Sequence, residues 1–188
     1  AYDFVKVKKG NGVYKFYNES LIRYLLFGVP LERCYGWGEN IYAPCDGEIK
    51  MVVDGVKERQ NVNLISDLKY MMRVTEDFKQ GKVEYREVAG NYVIMKCDEG
   101  VYALFAHMKT NSIAVAIGQK IKKGQIIGKV GHSGNSTAPH LHFQMMDNEN
   151  IRIAKGIPCA FESYEALIKG KWIKIVNGIP TGKEPIRK

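Results

Sequence analysis

The pair His140-x-His142 follows a polar loop containing glycine, residues 131–139, and alternates with Leu141 and Phe143. Because successive side chains of a β-strand point to opposite faces, both histidines should project from one face while Leu141 and Phe143 point into a core. The pattern therefore predicts a strand in a sheet with one polar face. Two adjacent imidazoles are also typical of a metal site, since neutral imidazole is the commonest metal ligand of proteins.

His107 is the second candidate site residue. It ends the apolar run of residues 101–107, which alternation predicts to be another strand. A third imidazole close to His140 and His142 would suit a zinc centre with a catalytic partner. A lone His-x-His pair is equally typical of histidines that pack inside a protein or lie at its surface. The spacing alone leaves both interpretations open.

Asp3, in the first predicted strand, is a further candidate site residue. Residues 1–7 alternate, so Tyr2 and Phe4 should share one face and Asp3 should lie on the other. An unpaired buried charge is costly. Asp3 is therefore expected to pair with another group, to bind a metal or to face water.

The remaining pattern predicts a mainly β fold, an antiparallel sandwich or barrel with a few short helices. Residues 35–55 and 91–108 read as strands separated by glycine turns. Two short helices are predicted, one capped by residues 18–20 and one over residues 163–169, the latter followed by a last strand. Residues 58–90 lose the alternation and are expected to be a partly helical insertion over the sheet, with Ser66 as a candidate cap.

Size and composition limit the classes of protein that fit. At 188 residues with 45% hydrophobic content, one core and a single domain, 1–188, are favoured. No apolar run approaches the roughly 20 residues of a membrane span, so no transmembrane segment is predicted. The chain starts at Ala1 within a strand-like run, and we expect that an upstream part, such as a signal or anchor, has been removed.

Charge and cysteine content are less decisive. The net charge of +8 favours an anionic partner, such as a cell-wall polymer, a membrane surface or nucleic acid, but it also suits a basic soluble surface. The short basic runs are not interleaved with aromatic residues, so no nucleic-acid partner is expected. The four cysteines form no Cys-x-x-Cys pair, which argues against a structural zinc knuckle, and their disulfide state stays open.

Five motifs together resemble a known family. They are Tyr42-Ala43-Pro44-x-x-Gly47, Gly90-Asn91-Tyr92-Val93, Tyr102-x-x-x-x-His107-Met108, Gly118-x-x-Ile121-x-x-Gly124-Gln125-x-Ile127-Gly128 and Gly134-x-Ser136-Thr137-x-Pro139-His140-Leu141-His142-Phe143. Over residues 1–160 the chain resembles the lysostaphin/LytM-type zinc metallopeptidases. The resemblance implies an antiparallel β fold of the duplicated hybrid motif type, with residues 161–188 as a C-terminal extension. It also implies cleavage of peptide bonds, mostly in bacterial cell-wall peptidoglycan.

The family pattern assigns roles to the candidate residues. The resemblance implies that His142 is a ligand of Zn²⁺ and that His107 and His140 are the catalytic pair. His132 matches no ligand position and is expected to be a loop or groove residue.

The remaining zinc ligands depend on the alignment. The simple family pattern would place Gly36 and Asn40 at the histidine and aspartate positions, where neither can serve. A subgroup with an early Tyr-x-Asp-Phe-like strand fits better, and it makes Asp3 the carboxylate ligand with a partner histidine upstream of Ala1. We prefer this alignment, because a catalytic zinc site needs three protein ligands.

The sequence thus predicts a zinc-dependent endopeptidase that works outside the cytoplasmic membrane on peptidoglycan or another peptide substrate. An anionic cell-wall surface is a further expected partner. The alternative is a degenerate, metal-free module that binds or regulates. Phosphoryl-carrier and lipoyl-like carrier domains fit the His-x-His arrangement poorly. Substrate choice is expected to lie in residues 56–90 and 131–139.

Overall fold

The computed structural model describes residues 1–10, 12–182 and 184–188. Every strand pairing within these ranges is antiparallel, which confirms the predicted mainly β fold class. The strands are β1 Tyr2–Phe4, β2 Lys8–Gly10, β3 Val13–Lys15, β4 Val29–Pro30, β5 Asn40–Tyr42, β6 Gly47–Val53, β7 Asn61–Val62, β8 Asn91–Asp98, β9 Val101–Met108, β10 Lys120–Ile121, β11 Ile126–Lys129, β12 Leu141–Met146, β13 Phe161–Ile168, β14 Lys171–Gly178 and β15 Ile186–Arg187.

A central sheet of six strands, in the order β1-β12-β9-β8-β6-β10, organises the molecule. Its register places Asp3 opposite His142 and His142 opposite Ala106. Residues that are far apart in the sequence therefore meet on three neighbouring strands, β1, β12 and β9.

The two faces of this sheet bury different side chains because alternate residues point to opposite sides. Val93, Met95 and Phe105 join a core that also contains Ile41 and Ile127 of the small β5–β11 sheet. The opposite face buries the alternate residues of β8 and β9 against the helix of residues 85–89. Full burial of each large apolar side chain stabilises the fold by about 1.5–3 kcal/mol.

The hairpin of β8 and β9 agrees with the sequence prediction. Residues 91–95 of β8 and 103–108 of β9 are buried without interruption, so both faces of the hairpin are covered, and its turn contains Gly100 at a φ of 65°. The strand predicted at residues 140–146 is also present, as β12.

The helices are α1 Leu21–Leu26, α2 Leu64–Lys79 and α3 Tyr85–Ala89, and a 3₁₀ turn covers Leu31–Arg33. Ser20 caps α1, as predicted, by accepting a hydrogen bond from the Arg23 amide. The prediction that Ser66 caps the next helix is wrong. The Asn63 side chain caps α2 by accepting hydrogen bonds from the amides of Ile65 and Ser66, so α2 begins earlier.

The prediction of a helix over residues 163–169 is also wrong, because β13 occupies that segment and pairs with β14. Lys169 and Gly170 have φ values of 49° and 79° between the paired residues Ile168 and Lys171. Two consecutive positive φ angles are what a tight hairpin turn needs. None of the helices in the described ranges combines the length and apolar character required to cross a membrane.

Candidate active site

The Asp3 carboxylate and the His142 imidazole face each other across the β1–β12 pairing. Asp3 Oδ1 lies 2.8 Å from His142 Nδ1 and 3.6 Å from His140 Nε2. His140 directly precedes β12, so both histidines reach the same carboxylate. The edge strand β1 thus brings Asp3 to the His-x-His pair.

His107 completes the cluster from the end of β9. Its ring centre lies 4.7 Å from that of His140 and 5.8 Å from that of His142. The backbone of His107 has a φ of 57°, an uncommon conformation for a residue with a side chain. The structure therefore brings together all four residues that the sequence analysis singled out, Asp3, His107, His140 and His142.

The hydrogen bonds of the two buried histidines determine where their ring protons lie. His107 Nδ1 is 2.9 Å from the Ser133 carbonyl oxygen, and His140 Nδ1 is 2.7 Å from the Ala138 carbonyl oxygen. A carbonyl oxygen only accepts, so each neutral ring carries its hydrogen on Nδ1. The Nε2 atom of each ring is left with a lone pair that can accept a proton.

Burial keeps both rings neutral. Burial, followed by the neighbouring His140, lowers the pKa of His107 to about 3. Burial also lowers the pKa of His140, and it outweighs the opposing effects of the Ala138 carbonyl and the Asp3 carboxylate. The hydrogen bond from His142 holds the pKa of Asp3 below its usual value. At neutral pH the site therefore combines an ionised Asp3 carboxylate with the uncharged imidazoles of His107 and His140.

The loop of residues 131–139 supplies both carbonyl acceptors, and close backbone contacts hold it in place. A Cβ atom on Gly131 would come 2.3 Å from the Lys109 amide nitrogen, and one on Gly134 would come 2.3 Å from the Gly90 amide nitrogen. Only glycine fits at either position. The glycines of this loop therefore allow it to pack directly against the end of β9 and the start of β8.

His132 is fully buried in this loop and does not line an open groove. Its ring contacts Arg59 and Ser136, and Arg59 in turn pairs with Asp67. Sequence reasoning missed Arg59 and Asp67. No local pattern marks them, because the Arg59–His132 contact joins residues 73 positions apart.

The donor atoms at this site fit zinc in kind. Asp3 Oδ1 and His142 Nδ1 are a carboxylate oxygen and an imidazole nitrogen, both common zinc ligands, and they point at each other. In the described ranges no group of three His, Cys, Asp or Glu side chains is arranged to hold a metal. Gly36 has no side chain to offer, and the Asn40 amide donates to the Tyr42 hydroxyl. The described residues thus offer two ligands.

A comparison with protein families identifies part of the chain. The sequence profile of peptidase family M23 matches residues 77–153. This segment, called the M23 segment below, is similar to peptidase family M23. The M23 segment contains His107, His140 and His142, whereas Asp3, Arg59 and Asp67 lie outside it.

Curated relatives of the chain are endopeptidases by name. Glycyl-glycine endopeptidase ALE-1 of Staphylococcus capitis is 44% identical over 59 residues, which cover 31% of this chain and 16% of ALE-1. Peptidoglycan DD-endopeptidase ShyA of Vibrio cholerae serotype O1 is 38% identical over 78 residues, covering 37% of this chain and 18% of ShyA. The matches therefore span less than a fifth of either relative.

Among solved structures, the catalytic domain of lysostaphin from Staphylococcus simulans is similar to this chain. The match covers 83% of this chain and 86% of the lysostaphin chain, with 20% sequence identity and a TM-score of 0.42. A similarity of this size gives no information about the site.

All four cysteines lie in the described ranges, and none forms a disulfide.

Proposed function

We propose that this chain is the catalytic part of a zinc-dependent endopeptidase that hydrolyses peptide bonds in bacterial peptidoglycan. The observation that carries the proposal is the 2.8 Å contact between Asp3 Oδ1 and His142 Nδ1, with His140 beside it. The M23 segment supports the peptidase chemistry, since it contains the three histidines of the cluster.

Asp3 and His142 would hold the zinc ion in this proposal. A carboxylate kept ionised by its histidine neighbour is ready to bind a cation without first losing a proton. A third ligand, expected to be a histidine, would come from outside residues 1–188. When bound, zinc supplies Lewis-acid polarisation of a carbonyl and lowers the pKa of a water molecule.

His140 and His107 would move protons at their Nε2 atoms. Both rings have the Nδ1 hydrogen engaged by a loop carbonyl, so Nε2 can take a proton from the attacking water. Once protonated, the same Nε2–H can donate to the oxygen that gains negative charge, or to the departing amine. General acid–base catalysis of this kind contributes typically ~10²- to 10⁴-fold in rate.

The proposed substrate is a cross-link made of glycine or other small residues, and the proposed location is outside the cytoplasmic membrane. Support comes from the names of two relatives, the glycyl-glycine endopeptidase ALE-1 and the peptidoglycan DD-endopeptidase ShyA. The net charge of +8 would also hold the protein near anionic wall polymers.

Elemental analysis and digestion of purified sacculi test the proposal. The protein is prepared with whatever residues precede Ala1 in its gene, never exposed to chelator, and its zinc content is measured. Mass spectrometry should then reveal new amino termini in stems or bridges, and the His140→Ala variant should produce them at least about 10²-fold more slowly. Reducing ends without new amino termini would show a glycosidase instead.

The second candidate function is a metal-free binding or regulatory module. It is favoured by the finding that no group of three candidate ligand side chains in the described ranges is arranged to hold a metal. A folded preparation that binds sacculi, contains almost no zinc and releases no product would establish this function in place of the peptidase.

A further inference from the structure

A buried chain of polar side chains leads from α2 to the candidate catalytic histidine. We propose that Arg59 and Asp67 are positioning residues that fix the proton pattern of His132 and Ser136 and thereby the ring of His140. This inference rests on the proposed catalytic role of His140. Arg59 and Asp67 both lie outside the M23 segment.

Asp67 anchors the chain in the first turn of α2. Its side chain is 1% exposed, and its two oxygens accept hydrogen bonds from Arg59 Nε at 2.9 Å and from the Asn63 amide at 2.8 Å. Burial alone would raise the pKa of Asp67, but hydrogen bonding and the nearby charge of Arg59 hold the pKa below its usual value. The ionised carboxylate thus fixes one edge of the Arg59 guanidinium.

The other edge of Arg59 holds the loop of residues 131–139. Nη1 donates to the Gly134 carbonyl at 2.9 Å, and Nη2 donates to the Ser136 carbonyl. Nη2 also lies 3.2 Å from His132 Nε2. The Asp67 Oδ1 atom lies 3.9 Å from the same nitrogen, beyond hydrogen-bond distance. Because a guanidinium has donors only, the closer contact with Arg59 is a hydrogen bond when His132 Nε2 accepts, which places the His132 hydrogen on Nδ1.

This placement determines the direction of each following hydrogen bond. His132 Nδ1–H donates to Ser136 Oγ at 3.0 Å, so the Ser136 hydroxyl is free to donate to the Ala138 carbonyl at 2.7 Å. His140 Nδ1 donates to the same carbonyl and lies 3.3 Å from Ser136 Oγ. The ring of His140 is therefore bordered by two acceptors whose orientation is set four side chains away, at Asp67.

Without Arg59, His132 would no longer be restricted to one tautomer, and the direction of the Ser136 hydrogen bonds would no longer be fixed. His132 could then carry its hydrogen on Nε2, and its Nδ1 could accept from the Ser136 hydroxyl. Ser136 would no longer donate to the Ala138 carbonyl, and the loop would lose two carbonyl anchors. His140 would then lose the fixed surroundings that keep its Nε2 directed at Asp3.

The same segment holds the loop at further points. The Asn135 amide donates to the Val88 carbonyl at 2.9 Å, and Asn135 Nδ2 lies 3.2 Å from Thr75 Oγ1. Glu58 Oε1 accepts from the His132 amide at 2.6 Å. Residues 58–90 are the segment that the sequence predicted to be an insertion over the sheet. Their hydrogen bonds thus hold the loop of residues 131–139, whose carbonyl groups contact His107 and His140.

The decisive experiment is ¹⁵N NMR of the histidine side chains in residues 1–188 without added metal. We expect His132 and His140 each to show a single tautomer, with hydrogen on Nδ1. Arg59→Gln and Asp67→Asn should convert His132 into a mixture of tautomers and broaden or split the His140 signals. Arg59→Lys, which keeps the charge but cannot form the fork, should restore little of the pattern.

Arg73→Gln is the matched control. The Arg73 guanidinium lies 5.4 Å from the centre of the Tyr70 ring, the same ring that Arg59 contacts at 4.3 Å, but Arg73 is exposed. This control should leave all histidine signals unchanged. Ser136→Ala is a second variant with a small change in volume, and it should perturb His140 while the Arg59–Asp67 pair persists.

The outcomes separate this inference from the proposed function. Unchanged histidine tautomers in folded Arg59→Gln, Asp67→Asn and Ser136→Ala would overturn the positioning role even if the enzyme is active. Altered tautomers would support it even if no peptidase activity is found. If the enzyme is active, kcat should fall about 10- to 100-fold in Arg59→Gln with KM and zinc content unchanged, and a loss confined to KM or zinc would contradict the inference.

Discussion

Asp3 Oδ1 and His142 Nδ1 lie 2.8 Å apart although 139 positions separate the two residues in the sequence. The contact exists because β1 pairs with β12 in a register that sets Asp3 directly opposite His142. The strand at the start of the chain is therefore part of the site, even though it lies outside the M23 segment.

The proposed ligand role of Asp3 predicts a loss of metal on its removal. Asp3→Asn, in protein that carries its natural upstream residues, should keep less than about a tenth of an equivalent of zinc, because a neutral amide is a poor substitute for the carboxylate. Elemental analysis measures this. Asp98→Asn, an exposed change at the end of β8, is the control and should bind zinc normally. Full zinc occupancy in Asp3→Asn would show that other residues hold the ion.

The two histidines of the His-x-His pair should separate binding from chemistry. His142→Ala is expected to lose both zinc and activity, since His142 Nδ1 faces Asp3 directly. His140→Ala should keep most of its zinc and lose turnover by about 10²- to 10⁴-fold, the range of an acid–base group. Zinc content and peptide release are measured on the same samples. Equal zinc content in the two variants would mean that the roles are assigned wrongly.

Local patterns predicted the strands that form the site. Two largely apolar runs on either side of a glycine turn predict the β8–β9 hairpin, and the His-x-His alternation predicts β12. The segment of residues 163–169 was predicted wrongly because short apolar runs fit either helix or strand. Long-range pairing with β14 and the positive φ angles of Lys169 and Gly170 decide in favour of the strand.

The surroundings of the site could not be predicted in the same way. Arg59 contacts a loop more than 60 positions away in the sequence while it pairs with Asp67, and these contacts depend on where α2 packs. The sequence predicts only that His132 is a loop or groove residue. The residues next to it in the sequence give no sign that it is buried in contact with the distant Arg59. The division into a core of residues 1–160 and an extension of residues 161–188 stays a prediction, although Phe161 packs against Tyr2 and Phe4.

The central sheet should depend strongly on its buried aromatic residues. Phe105 is 1% exposed and lies in the core cluster that includes Phe143, so Phe105→Ala should lower the free energy of unfolding by about 3–5 kcal/mol. Ile117 is 66% exposed, and Ile117→Ala should change the free energy of unfolding by less than about 0.5 kcal/mol. Urea denaturation of both variants provides the measurement. Similar effects in the two variants would contradict the assigned core.

The buried thiol of Cys34 should make the fold sensitive to alkaline pH. Burial, and to a smaller extent Glu32, raises the pKa of Cys34 to about 12. In the unfolded chain a cysteine has a pKa of about 8.5. The folded state therefore keeps a proton that the unfolded state releases, so this contribution to stability is complete below the unfolded pKa and is lost as pH rises towards the folded pKa.

Cys34→Ala tests this dependence. The variant should be less stable than the parent protein at pH 7, because it leaves a small cavity, but its stability should fall less steeply between about pH 9 and pH 11. Tyrosines titrate in both proteins, so the difference between the two curves isolates the thiol. Urea denaturation across this range, in the presence of a reductant, gives the two slopes. Parallel curves would mean that Cys34 ionises in the folded protein as readily as in the unfolded chain.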